Sequence, residues 1–148
     1  MAFPYITQTK TVITTTAAFA ANQIMGIGGI QNFTPVPNGG FIQSVIVNLN
    51  STNANQVDFV TFTSSMPNTT FTDHSSIAIS SADFASQGPV ASVTTWNYGG
   101  VNATNGMANG LAFAYYSGNQ TMFWALVARG AVTVNSTNGI SVSVTIVS

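Results

Sequence analysis

Asn138-Gly139-Ile140-Ser141-Val142-Ser143-Val144-Thr145-Ile146-Val147 decides the fold class. In an extended chain Ile140, Val142, Val144 and Ile146 fall on one side and Ser141, Ser143 and Thr145 on the other, the two-residue period of a half-buried strand. β-branched side chains disfavour helix here and suit a pleated sheet. The Asn-Gly pair in front is a favoured two-residue turn signal.

The same texture recurs upstream. Residues 41–49 predict a strand with Phe41, Val45, Val47 and Leu49 on one face, interrupted by Gln43, and Ile42 and Ile46 on the other. Residues 57–63 predict a strand with Val57 and Phe59 opposite Val60 and Phe62. Further strands are expected within 11–16, 23–30, 90–96, 111–116 and 121–129, the last two joined as a hairpin through Ser117-Gly118-Asn119-Gln120. Gly26, Gly28 and Gly29 break the second of these, and Gly26-Ile27-Gly28-Gly29 lacks the second half of either phosphate-binding motif. Residues 34–40, 64–76 and 97–109 read as loops, and Ser80 reads as the cap of a single helical turn over 80–84. About eight short strands with turn signals and no long helical period give an all-β class, an antiparallel β-sandwich or jelly roll. The expected organisation is one β-sandwich domain, residues 11–148, preceded by an extended N-terminal arm, residues 1–10. Pro4 interrupts pairing there, and Phe3, Tyr5 and Ile6 have no assignable strand partner.

Charge is the most unusual property. The 148 residues include Lys+Arg 2 and Asp+Glu 3, namely Lys10, Arg129, Asp58, Asp73 and Asp83, for 3% charged residues; soluble domains average about 25%. There is one histidine, His74, and no cysteine. Two basic residues cannot neutralise a phosphate backbone, which argues against a nucleic-acid partner. A disulfide scaffold and thiolate metal sites are excluded. No apolar run reaches the roughly 18 residues of a membrane span, and the first residues show no basic leader with an apolar core. A net charge of −1 gives little repulsion between copies, so the protein is expected to work assembled.

Few residues could carry chemistry. Asp73-His74 is the one acid–imidazole neighbour pair, but adjacent residues of an extended chain point apart, whereas triad members converge from separate segments. Asp73 is better suited to tying a loop through backbone N–H groups. Asp58, Asp73 and Asp83 form no dense calcium loop. Arg129 needs a carboxylate if buried, from its own fold or a neighbouring subunit, and is otherwise a solvated strand end. Trp96, Tyr98, Tyr115, Tyr116 and Trp124 could form a sugar-stacking platform or simply fill core and interface. No catalytic set, metal or cofactor is expected. A hydrolase working through Asp73 or His74 is the rival that mutation of those residues tests.

Three segments within residues 57–148 carry a resemblance to a family: Met66-Pro67-Asn68-Thr69-Thr70-Phe71-Thr72-Asp73, Ile79-Ser80-Ser81-Ala82-Asp83-Phe84, and Thr121-Met122-Phe123-Trp124-Ala125-Leu126-Val127-Ala128-Arg129-Gly130 before the alternating last strand. The chain resembles the jelly-roll capsid decoration, or cement, proteins of tailed bacteriophages. The low charge and the stretch 26–40 depart from that likeness. The resemblance implies a homotrimer on the outer capsid surface of the virion, contacting the major capsid protein and clamping neighbouring capsid subunits, without catalysis. The candidate interface residues are Phe3, Tyr5, Ile6, Lys10, Asp73 and Arg129. A glycan-binding β-sandwich module of a virion or cell surface is the alternative.

Overall fold

The computed structural model describes residues 5–100, 102–108, 113–116 and 119–148. Two antiparallel sheets face one another. The first contains β1 (Tyr5–Val12), β4 (Gly39–Leu49), β7 (Trp96–Gly100), β8 (Ala103–Ala108), β9 (Phe113–Tyr116) and β11 (Ile140–Val147), in the order β1-β11-β4-β8-β7 with β9 also on β4. The second contains β2 (Gln23–Met25), β3 (Gln31–Phe33), β5 (Val57–Phe62), β6 (Gln87–Val93) and β10 (Met122–Ala128), in the order β2-β10-β5-β6 with β3 also on β10. The pairs β1·β11, β2·β10, β4·β8 and β5·β6 are nested inside one another in sequence. That nesting is the winding of a jelly roll. It establishes the all-β sandwich expected from the alternating segments.

The alternation of β11 is realised in full. Ile140, Val142, Val144 and Ile146 are completely buried, while Ser141, Ser143 and Thr145 face outward. They meet Val57, Phe59, Trp124 and Leu126 of the other sheet in one core. Trp124 lies at its centre, with Phe33 and Phe59 at ring-centroid distances of 5.0 and 5.2 Å. β5 is buried on both faces. Its second face, with Val60 and Phe62, joins Ile24, Ala125 and Val127 under Met66 and Phe71. The loop after β5 therefore acts as a third layer over the five-stranded sheet. It ends in a 3-10 helix, Ser81–Ser86, capped by the Ser80 side chain.

Several expectations need correction. The residues assigned to an arm are not one from Tyr5 onward: Tyr5–Val12 is an edge strand paired with β11 along its whole length, from Tyr5↔Val147 to Val12↔Ile140. Ile6, Gln8, Lys10 and Val12 alternate inward with Tyr5, Thr7, Thr9 and Thr11 outward, and β11 supplies the partner that sequence could not name. Phe3 lies outside the described residues. The strand stops at Val12 rather than running to Thr16. Of the expected 23–30 strand only Gln23–Met25 is strand; a bend in which Gly26, Gly28 and Gly29 adopt φ of 144°, 97° and 83° follows, and β3 begins beyond it at Gln31. In β4 a bulge inserts Gln43, so Ile42 is buried and Phe41 is turned outward, against the expected face. The expected 97–109 loop contains the β7–β8 pair. β9 and β10 form no hairpin, because β9 belongs to β4's sheet and β10 to β5's.

Candidate binding surface

The ionisable groups of the loops are bound up inside the fold. Asp73, with its side chain 9% exposed, accepts Gly26 N–H at 2.7 Å, the Thr14 hydroxyl at 2.9 Å and Thr15 N–H at 3.4 Å. His74 Nδ1 lies 2.9 Å from Asp73 Oδ2, and Nε2 lies 2.8 Å from the Ala17 carbonyl oxygen. The ring stacks on Phe19 at 3.8 Å. His74 sits at φ 63°, a left-handed conformation that these contacts hold in place. Both ring nitrogens thus face acceptors, and neither faces a hydroxyl nucleophile. Asp73 ties the chain after β1, the bend after β2 and the loop before the 3-10 helix.

Arg129 finds a carboxylate of its own fold. Its Nε donates to Asp58 Oδ2 at 2.8 Å, and Nη1 donates to Asn22 Oδ1 at 2.8 Å. Burial pushes the Asp58 carboxyl upward, but hydrogen bonds from Gln56, Arg129 and Ser92, with the Arg129 charge, hold it below the ordinary carboxylate range. Asp83 is similar. Desolvation opposes its ionisation, yet the Thr69 hydroxyl and the Asn68 side chain and backbone N–H hold it low. Asp58, Asp73 and Asp83 lie in three separate networks, and no group of three or more His, Cys, Asp or Glu comes together among the described residues.

Register gathers a set of uncharged polar residues on one surface. On the outer face of the six-stranded sheet, Thr11, Ser141, Asn48, Asn105 and Asn97 form one cross-strand row. Thr9, Ser143, Ile46 and Met107 form the next, then Thr7, Thr145 and Ser44, then Tyr5, Val147 and Phe41. No charged side chain lies in these four rows; Lys10 belongs to the opposite face of β1. The hydroxyls and amides are cross-linked: Thr9 to Ser143 at 2.8 Å, Thr7 to Thr145 at 3.4 Å, and Asn105 to Asn48. Tyr5, Phe41 and Met107 are 61%, 53% and 45% exposed, respectively. With strands about 4.8 Å apart and same-face residues about 6.7 Å apart, the rows cover roughly 20 × 20 Å, on the order of 400 Å².

Two hollows are present, one of them beside this face. One, of about 360 Å³, opens where β4 ends beside the β7–β8 turn and the approach to β11, and five asparagines line it: Asn48, Asn50, Asn102, Asn105 and Asn138. Asn50 Oδ1 there is buried with no hydrogen-bond partner among the described residues. The other, of about 330 Å³, lies between the sheets and is lined by Phe62, Pro89, Tyr115 and Met122 among others. Burial pushes the Tyr115 hydroxyl up to about 12, and the group donates to the Pro37 carbonyl at 3.0 Å.

Of the interface candidates, Tyr5 lies on the uncharged face, Ile6 and Lys10 point inward from β1, and Asp73 and Arg129 use their polar atoms within the fold. Trp96, Tyr115 and Trp124 do not converge on a platform, and the Tyr116 side chain lies outside the described residues. Trp124 is fully buried, the Trp96 indole donates to the Asn55 carbonyl at 2.9 Å, and Tyr115 sits between the sheets. Phe41, Ile46, Met107 and the asparagine row escaped the sequence reading. The alternation of β4 and β11 was visible, but pairing with β8 lay in a segment read as loop. No family model, no curated protein and no solved structure matches the chain.

Proposed function

We propose that the protein is a structural component of a bacteriophage virion that binds the outside of the capsid through the outer face of the six-stranded sheet. Its partner is the major capsid protein, and its work is to bridge neighbouring capsid subunits. The supporting observation is the charge-free face of four rows across β1, β11, β4, β8 and β7, on a fold whose Asp side chains are all engaged internally. Hydroxyls and amides lose less than charges do on leaving water. Side chains already bonded across the strands have little freedom left to lose on docking. An area on the order of 400 Å² is about half of one partner's share in a standard interface, near 800 Å². A repetitive shell compensates, since several copies linked together gain avidity.

Co-sedimentation with purified shells of the major capsid protein tests the reading. Ile46→Lys, at the centre of the face, should weaken association tenfold or more while leaving the melting temperature near that of the unmodified chain. Equal binding by the two proteins removes this face from the interface. A second reading rests on the asparagine-lined hollow. Amides offer donor and acceptor side by side, as vicinal sugar hydroxyls require, so a neutral glycan is its candidate ligand. Chemical-shift changes confined to Asn102, Asn105 and Asn138 on adding neutral oligosaccharides would favour it.

A further inference from the structure

The six-stranded sheet ends at β1, and nothing pairs with the other edge of that strand among the described residues. Two bonds just beyond it show which residues face that edge. Thr14 N–H donates to the Thr137 carbonyl on the β11 side, so the even-numbered positions face β11. The Ile13 carbonyl accepts Ile27 N–H from the opposite side. N–H and C=O of one residue in an antiparallel ladder share a direction, which alternates along the strand. Tyr5, Thr7, Thr9 and Thr11 therefore direct their backbone groups toward the open edge.

This edge has one protection, the inward-pointing Lys10, and lacks the others. β1 contains no proline, glycine or bulge, and its single charge is Lys10. The other edges are blunted. β6 carries Gly88-Pro89 and pairs through an irregular register, β7 is irregular between Tyr98 and Gly100, and β2 and β3 have three residues each. A long, regular edge whose open backbone groups belong to the uncharged Tyr5, Thr7, Thr9 and Thr11 is a template for another strand.

We propose that β1 pairs antiparallel with β1 of a second copy of this chain, across a two-fold axis through Gln8. One register uses all four outward residues on both sides: Tyr5 opposite Thr11 and Thr7 opposite Thr9. Gln8 then meets its own copy, and Lys10 lies opposite Ile6 of the second copy, so the two ammonium groups do not face each other. The contact is isologous, the same strand serving both partners. It joins two six-stranded sheets into one and sets two charge-free faces side by side. The pairing does not depend on what that face binds.

The chain has no cysteine, so one introduced thiol reports the register. Gln8 falls at a non-hydrogen-bonded position of the new pair, where Cα atoms sit about 4.5 Å apart, within disulfide range. Gln8→Cys should cross-link to itself under mild oxidation. Ile6→Cys and Lys10→Cys should not do so alone, whereas an equimolar mixture of these two should form a heterodimer. Light scattering of the unmodified chain should give twice the 15.4 kDa of one chain. Thr9→Pro removes an N–H that faces the edge no described strand pairs with, and its ring blocks an incoming strand, so it should give a folded monomer. A monomeric unmodified chain at tens of micromolar, a trimer indifferent to Thr9→Pro, or cross-linking at residue 8 no better than at 6 or 10 would overturn the pairing. If Thr9→Pro fails to fold, the cysteine pattern still decides.

Discussion

Asp73→Ala is expected to be among the most destabilising single changes available outside the core. The carboxylate accepts from Gly26 N–H, the Thr14 hydroxyl and Thr15 N–H, and lies 2.9 Å from His74 Nδ1. Gly26 and Thr14 are buried, so two donors would lose their acceptor with little water to replace it. A hydrogen bond to a charged group is worth about 1.5–3 kcal/mol, and a stranded buried donor costs about 1–3 kcal/mol. These terms overlap, and about 3–5 kcal/mol is the expected loss. That is a large share of the roughly 5–15 kcal/mol that holds an ordinary domain folded. With a urea slope of about 2 kcal/mol/M, the midpoint should fall by roughly 1.5–2.5 M. Asp73→Asn keeps one acceptor oxygen and should lose about half as much. Urea titrations followed by Trp124 fluorescence give all three midpoints. A loss below about 1 kcal/mol for Asp73→Ala, within the range of an ordinary surface change, would refute the assignment of Asp73 as the tie between these segments.

Arg129→Met leaves Asp58 with Gln56 and Ser92 and should cost about 1–3 kcal/mol, read by thermal melting, because the pair is neither fully exposed nor fully buried. Asp58 and Asp83 titrate below ordinary carboxylates when folded, so their contribution is complete above the unfolded value of about 4 and is lost as pH falls through the folded values. Melting temperature should accordingly hold level from about pH 8 to 5 and drop below about pH 4, with a shallower drop in Asp83→Asn; a rise on acidification contradicts this sign. Gly106→Ala would drive a Cβ into Val93 Cγ1 and the Trp96 ring, and repacking there should cost about 1–3 kcal/mol and perturb Trp96 fluorescence. Deleting residues 5–12 should lower the melting temperature sharply, since it uncovers one edge of β11 and removes Val12 from the core; an unchanged melt would restore the arm.

The sequence announced strands where one face is apolar and the other polar, as in β11, and where both faces are apolar, as in β5. It hid strands whose inward residues are not all apolar. Ile6, Gln8, Lys10 and Val12 share the inner side of β1, and two of the four are polar because the edge is only half covered. It also hid the β7–β8 pair, where glycine and asparagine suit turn and strand end alike. The bulge at Gln43 could not be read, because only pairing with β11 shows that one residue is extra. Low charge was plain from composition. That the few charges gather into internal networks depends on neighbours far apart in the chain, such as Arg129 with Asp58.

The pairing of β1 with β11 also carries a cost in time. Val12 meets Ile140, so about 130 residues must be made between the two halves of one ladder. At roughly 5–20 residues per second, β1 waits on the order of 6–26 seconds on the ribosome before its partner exists. β11 lies between β1 and β4, so β1 has no native neighbour until β11 arrives, whereas β4 can already pair with β8 and β9. Throughout that interval β1 is a strand-forming segment with no native partner, while β4·β8 and β5·β6 can already form. Late closure of this kind leaves a strand exposed to aggregation during synthesis, a hazard that the stability of the finished sandwich does not measure.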